Sequence, residues 1–214
     1  MLIKICGLTR QEDMDAASEL GADLCGFIFH PKSPRHVMPK RAARLRSGKM
    51  RRVGIFVEQR SEGILRVMDV ARLDFAQLHG KQSVECALEI GPSRVIRVIW
   101  PDLYYHRALL HNELQKFSAS CAMYLLDAGF LGGGSSNCLE WQDLAGLSAP
   151  HPWILAGGLN ACNIGKALSQ CTPSGVDFNS GIEEAPGIKN SDEMREAIGQ
   201  VRLALAGYDC VKEH

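Results

Sequence analysis

Apolar residues occur in eight short runs along the chain, and segments with helical spacing separate most of them. Within each run the apolar residues are nearly continuous, as is typical of strands buried on both faces of a parallel sheet. The predicted strands are Leu2–Cys6, Leu24–Phe29, Arg52–Val57, Phe75–Leu78, Val95–Trp100, Met123–Asp127, Trp153–Ala156 and Gly175–Phe178. Their regular spacing predicts parallel pairing through crossover helices.

The segments between the strands predict amphipathic helices. In Ser61–Ala71, apolar residues recur every three or four positions on one face. The first predicted helix is Gln11–Leu20. We expect Thr9 to cap its start and Gly21 to end it. The remaining predicted helices are Tyr104–Phe117, Cys162–Leu168 and Ser191–Leu205.

Eight strand-and-helix units predict an α/β fold in which the sheet closes into a (β/α)₈ TIM barrel. The alternative is an open doubly wound sheet, which usually has fewer strands and carries a Gly-x-Gly-x-x-Gly motif after the first. The sequence Cys6-Gly7-Leu8-Thr9 does not match that motif. No linker or low-complexity segment divides the chain, so we expect a single domain over residues 1–214.

Charge and composition narrow the possible partners. Lys plus Arg and Asp plus Glu both total 24, so no net charge favours nucleic acid or an anionic membrane. No apolar run is long enough to span a bilayer, and the first residues do not resemble a signal peptide. The eight cysteines form no Cys-x-x-Cys pair. We therefore expect a cytoplasmic protein that acts on a small molecule and uses no metal or cofactor. We expect it to be a monomer or a homodimer.

A basic run extends from Lys32 to Arg52 without an acidic residue. This run can be interpreted either as a solvent-exposed helix face or as a patch that binds nucleic acid. Because no aromatic residue between Pro31 and Val53 offers a stacking surface for bases, the exposed face is favoured from Lys40 onward.

Candidate catalytic residues lie where predicted strands end, since barrels of this class place their chemistry at the carboxyl ends of the strands. Cys6 and Asp127 could serve as a base and an acid, and Lys4 would lie on the same strand face as Cys6 and favour its thiolate. Arg35 suits a substrate carboxylate, and His79 suits a substrate contact. Each candidate also has a purely structural interpretation. Cys6 could be a buried thiol and Asp127 a capping carboxylate, while Arg35 could be an exposed basic residue and His79 a core histidine.

Small residues after the last two strands suggest a phosphate site. Gly157, Gly158, Ser180 and Gly181 allow backbone N–H groups to approach an anion closely. Barrels of this class often bind phosphate after strands seven and eight. The alternative is that both pairs are only tight turns.

Taken together, these motifs resemble those of the phosphoribosylanthranilate isomerase family of tryptophan biosynthesis. The resemblance spans nearly the whole chain and depends on the order and spacing of several segments. These are Lys4–Thr9, Gly26–Arg35, Val53–Val57, Gln77–Gly80, Leu155–Asn160 and Gly175–Glu183, with Pro186-Gly187 after them.

The resemblance implies an Amadori rearrangement of N-(5′-phosphoribosyl)anthranilate without a cofactor. It implies that Asp127 is the general acid, that Cys6 is the general base and that Arg35 binds the anthranilate carboxylate. It places the phosphate on the backbone around Gly157, Gly158, Ser180 and Gly181.

The sequence departs from the family pattern in the loop of residues 132–136, at Lys81-Gln82 and at Asn179, where serine is common. Three rivals remain: an isomerase of the histidine pathway, indole-glycerol-phosphate synthase, and a barrel that binds phosphate or RNA without catalysis. The histidine-pathway enzymes use two aspartates, so Cys6 argues against them, and no lysine is placed as the synthase requires.

Overall fold

Eight parallel strands close into a barrel in the computed structural model, which describes residues 1–104, 106–127 and 141–212, without the side chains of residues 207–212. The strands are β1 (Leu2–Ile5), β2 (Leu24–Ile28), β3 (Arg51–Phe56), β4 (Phe75–Leu78), β5 (Val95–Ile99), β6 (Met123–Leu126), β7 (Trp153–Leu155) and β8 (Gly175–Phe178). Pairing of β1 with β8, from Leu2 opposite Gly175 to Ile5 opposite Phe178, closes the sheet. The predicted TIM barrel is confirmed, and each strand ends within one residue of its predicted position.

Helices surround the barrel, and their described bounds agree in part with the prediction. They are α1 (Gln11–Glu19), α2 (Pro39–Ala42), α3 (Ser61–Ala71), α4 (Val84–Ile90), α5 (Arg107–Phe117), α6 (Ile164–Gln170) and α7 (Ser191–Lys212). Helix α2 lies at the start of the basic segment for which an exposed helix face was favoured, and helix α4 was not predicted from the sequence. Nor was the antiparallel hairpin of β9 (Glu183–Ala185) and β10 (Ile188–Lys189), which follows β8.

Two local predictions are wrong. Thr9 does not cap α1, because Arg10 occupies the N-cap position without a capping side-chain bond, and the Thr9 hydroxyl instead donates to the Gly187 carbonyl at 2.7 Å. Arg52 is not part of an exposed helix face. It lies on β3 with 8% of its surface exposed, and its guanidinium donates to the carbonyls of Ala42, Leu45 and Ala71.

The pleat of each strand determines which residues face the barrel interior, since alternate side chains point to opposite faces. One buried cluster fills the interior: Cys6, Leu24, Val53, Ile55, Phe75, Ile96, Val98, Leu125, Ile154 and Ala156. Val176 and Phe178 belong to the other cluster, between sheet and helices, so Asp177 takes the interior face of β8. By the same alternation Lys4, Gln77 and Asp127 face inward, from β1, from β4 and from the end of β6.

No helix in the described part of the chain is long and apolar enough to cross a membrane. Across the same residues, no group of three or more His, Cys, Asp and Glu side chains could hold a metal ion.

Candidate active site

Cys6 lies directly after β1, at the carboxyl end of the barrel, with 4% of its surface exposed. The neighbouring strand makes room for it. A Cβ atom at Gly26 of β2 would lie 2.9 Å from the Cys6 sulfur and 3.1 Å from the Cys6 Cα. Only glycine fits at this position of β2 without displacing Cys6.

A buried ion pair lies beneath Cys6, and its cation is Lys4, which the sequence placed on the same strand face as Cys6. Lys4 is fully buried, and its Nζ donates to Asp177 Oδ2 at 2.7 Å. Burial is the larger effect and leaves the pKa of the Cys6 thiol raised, while Lys4 opposes that rise by favouring the thiolate. Burial lowers the pKa of Lys4, but the nearby Asp177 and Cys6 outweigh burial and leave it raised, so the ammonium stays charged.

Asp127 follows β6 and contacts a histidine from β4. Its Oδ2 lies 3.7 Å from Nε2 of His79, and the His79 ring packs edge-on against Trp100 at a centroid distance of 5.7 Å. Burial lowers the pKa of His79 to about 4, and the distant Lys4 adds to this effect, so the ring is neutral near pH 7.

Gln77 of β4 contacts the ring of His79. Its amide Nε2 lies 3.3 Å from Nδ1 of the ring. Within the described structure, the buried Oε1 of Gln77 has no hydrogen-bond partner.

The Cys6 thiol follows β1, and the Asp127 carboxyl group follows β6. In the closed barrel these two strands are separated by β7 and β8 on one side and by β2–β5 on the other. Both take inward positions at the carboxyl ends of their strands. They therefore face each other across the barrel mouth, where a ligand between them can reach both.

Arg35 follows β2 and reaches the hairpin beyond β8. Its guanidinium forms a bidentate pair with Glu183, with Nη2 at 2.6 Å from Oε2. Lys189 approaches Glu183 from the other side, at 2.8 Å between Nζ and Oε1, and also donates to the Asn179 carbonyl and side chain. The side chains of Arg35 and Glu183 are 13% and 4% exposed.

The loops after β7 and β8 lie against each other. Gly157 and Gly158 have positive φ angles of 100° and 63°, and a Cβ at Gly181 would lie 2.1 Å from the Leu159 carbonyl oxygen. Ser180 opens a short 3₁₀ turn to Ile182. The four residues predicted for phosphate are thus gathered where these two loops meet. The predicted loop of residues 132–136 lies outside the described residues.

Sequence reasoning assigned no role to Gln77, Asp177 or Lys189, nor to Glu183, which appeared only within a motif. Alternation along β4 and β8 could have placed Gln77 and Asp177 in the interior. No comparable signal pointed to Lys189, whose partner Glu183 comes to it through a hairpin turn.

These features define a (β/α)₈-barrel protein with a thiol and a carboxyl group across its mouth, the groups that acid–base catalysis needs. Residues 3–200 match the family described as N-(5′-phosphoribosyl)anthranilate (PRA) isomerase. The chain belongs to this family, which confirms the resemblance found in the sequence.

Relatives and solved structures agree with this assignment. The N-(5′-phosphoribosyl)anthranilate isomerase of Desulfovibrio desulfuricans is 62% identical over 92% of this chain and 94% of its own. That of Maridesulfovibrio salexigens is 39% identical over 94% and 98%. The crystal structure of phosphoribosyl anthranilate isomerase from Thermotoga maritima has 31% identity and a TM-score of 0.84, covering 94% of this chain and 98% of that one. A phosphoribosyl anthranilate isomerase in complex with reduced 1-(o-carboxyphenylamino)-1-deoxyribulose 5-phosphate has a TM-score of 0.77, 29% identity and the same coverage.

Proposed function

We propose that the chain converts N-(5′-phosphoribosyl)anthranilate into 1-(2-carboxyphenylamino)-1-deoxyribulose 5-phosphate, the isomerisation step of tryptophan biosynthesis, with Asp127 as acid and Cys6 as base. Family membership carries the reaction. One structural observation supports the roles: the two side chains take inward positions on facing sides of the same mouth.

Asp127 begins the reaction by protonating the ring oxygen of the ribose. The C1–O bond breaks, and the nitrogen lone pair forms the imine that opens the ring. The carboxylate left on Asp127 then faces Nε2 of His79, whose neutral ring does not compete with it as an acid. A positioned proton donor of this kind supplies about 10²–10⁴-fold in rate.

Cys6 completes the reaction as a thiolate that removes the proton from C2. The electrons of the C–H bond form the C1–C2 double bond of an enolamine, and the electrons of the C=N bond return to the nitrogen of the protonated imine, which becomes a neutral amine. Loss of the C2 hydroxyl proton and protonation of C1 give the ketone, so reactant and product are isomers. The Lys4 cation favours the thiolate, which burial alone would disfavour.

Substrate binding involves the remaining predicted residues. Arg35 suits the anthranilate carboxylate, because a planar guanidinium binds both oxygens of such a group. His79 contacts the sugar beside the acid. The backbone at Gly157, Gly158, Ser180 and Gly181 suits the phosphate, which fixes the far end of the ribose and orients the reacting carbon.

We further propose that residues 1–214 form one domain, that the protein is cytoplasmic, and that it acts as a monomer or a homodimer. Free thiols at all six cysteines the structure describes suit a reducing compartment. The phosphoribosyl anthranilate isomerase of Thermotoga maritima is described as dimeric, and monomers generated from it have also been crystallised.

The experiment that tests the function follows the fluorescence of the anthranilate adduct with purified protein. Turnover of this substrate, and none of the phosphoribosyl substrate of the histidine pathway, is the expected result. Binding of a reduced product analogue without turnover would instead support a barrel that binds phosphate without catalysis.

A further inference from the structure

Among the described residues, the side-chain bonds of Arg35 lie along one of the two edges of its guanidinium. Nε lies 2.9 and 3.0 Å from the two carboxylate oxygens of Glu183, and Nη2 lies 2.6 Å from Oε2. This pairing uses the side edge formed by Nε and Nη2. The end edge, formed by Nη1 and the second N–H of Nη2, still has the fork geometry that matches a second carboxylate.

Glu183 is itself held in place. Lys189 donates to its Oε1 at 2.8 Å, and the Gly187 backbone N–H donates to the same oxygen at 3.2 Å. Burial raises the pKa of Glu183, but the bonds from Arg35 and Lys189 outweigh burial and lower it, so the carboxylate is charged near pH 7. The β9–β10 hairpin therefore presents a fixed anion to Arg35.

Arg35 lies directly beside the proposed base. A Cβ on Gly7, the residue after Cys6, would lie 2.8 Å from Cδ of Arg35 and 2.7 Å from Oδ1 of Asn179. Gly7 has a φ angle of 72°, and its lack of a side chain lets the arginine cross the backbone next to the thiol. A carboxylate on the end edge of Arg35 would thus be anchored within reach of Cys6.

We infer that Glu183 is a positioning residue, which holds the side edge of Arg35 so that its end edge selects substrates with a carboxylate on the aromatic ring. This inference rests on the proposed function. Without Glu183, the flexible arginine would have to be ordered by the substrate itself, which costs affinity. The effect should therefore appear in binding of the carboxylate and not in the proton transfers.

The test compares Glu183→Gln with wild type on two substrates, N-(5′-phosphoribosyl)anthranilate and the analogue made from aniline, which lacks the carboxylate. For the anthranilate substrate, KM should rise by about tenfold or more, because a hydrogen bond to a charged group is lost, while kcat changes little. For the aniline substrate, the two proteins should have the same KM. Glu184→Gln, an exposed residue of the same hairpin, is the matched control and should behave as wild type on both.

If Glu183→Gln does not fold, Glu183→Asp takes its place in the test. The aspartate keeps the charge beside Lys189 but is too short to hold both nitrogens of Arg35, so this variant should show the same KM pattern. An equal rise in KM for both substrates would show a general structural role and overturn the inference. A fall in KM for the anthranilate substrate would also overturn it, since Glu183 would then compete with the carboxylate. Absence of wild-type turnover would instead reject the proposed function.

Discussion

The two sides of the barrel mouth hold their titratable groups in opposite surroundings. On the base side, Cys6 lies above the buried pair of Lys4 and Asp177. On the acid side, Asp127 faces the neutral ring of His79, which packs on Trp100. A thiol needs a nearby cation to become a base near neutral pH, whereas a carboxyl group that must donate a proton gains nothing from one. The difference therefore matches the two roles.

Removing the acid should have the largest effect. In Asp127→Asn the amide keeps the shape but cannot protonate the ring oxygen, so kcat should fall by about 10²–10⁴-fold. Steady-state fluorescence kinetics measure this. Asp143→Asn, an exposed aspartate on the Trp141–Leu144 turn, should retain wild-type kcat. If Asp127→Asn turns over at the wild-type rate, the acid side supplies no proton.

Removing the cation on the base side should first cost stability. Lys4→Met leaves Asp177 buried without its partner, and the free energy of unfolding should fall by about 3–5 kcal/mol. Lys4→Met combined with Asp177→Leu should recover most of this loss in chemical denaturation. Because Lys4 lowers the pKa of Cys6 more than Asp177 raises it, the rise of kcat/KM with pH should shift to higher pH in the double variant. An unmoved pH profile would mean that the pair serves stability alone.

Narrowing the space beside the thiol should have a smaller effect. Gly26→Ala places a methyl group 2.9 Å from the Cys6 sulfur, so stability should fall by about 1–3 kcal/mol, with kcat reduced as Cys6 is displaced. Gly165→Ala on α6 is the control, because its Cβ would meet nothing within 4 Å. If Gly26→Ala and wild type have equal thermal stability, the backbone of β2 shifts enough to accommodate the methyl group, and the prediction is wrong.

The neutral histidine of the acid side should make the free energy of unfolding depend on pH. The pKa of His79 is about 4 in the fold, against an ordinary value of 6.5, so the unfolded chain takes up the proton more readily. Stability from this group is complete above pH 6.5 and is lost as pH falls toward 4. Between pH 7.5 and pH 5, wild type should lose about 2 kcal/mol more than His79→Gln in chemical denaturation. Equal losses would mean that the ring is solvated.

The barrel could be predicted from the sequence because its strands are short apolar runs with polar or glycine residues at their ends. Helix α4 was missed although a signal existed: Ser83 caps it by accepting a hydrogen bond from the Cys86 backbone. The β9–β10 hairpin was missed because its strands are only three and two residues long and carry charged residues instead of an apolar run.

Within the site, the positions of Cys6 and Asp127 follow from local rules, since both end strands. The partners of the charged residues do not. Arg35 and Glu183 are 148 residues apart, and Lys4 and Asp177 are 173 apart. Such pairs depend on how the whole barrel closes, and a single sequence carries no record of which distant residues meet.

The most direct test of the acid–base account is the kcat of Cys6→Ser, measured with the fluorescent anthranilate substrate beside Cys25→Ser, a buried cysteine of the same barrel. A serine hydroxyl fits the space left by the thiol but does not ionise near neutral pH. The account predicts that kcat falls by about 10²–10⁴-fold for Cys6→Ser and stays near wild type for Cys25→Ser. Wild-type turnover by folded Cys6→Ser would contradict it.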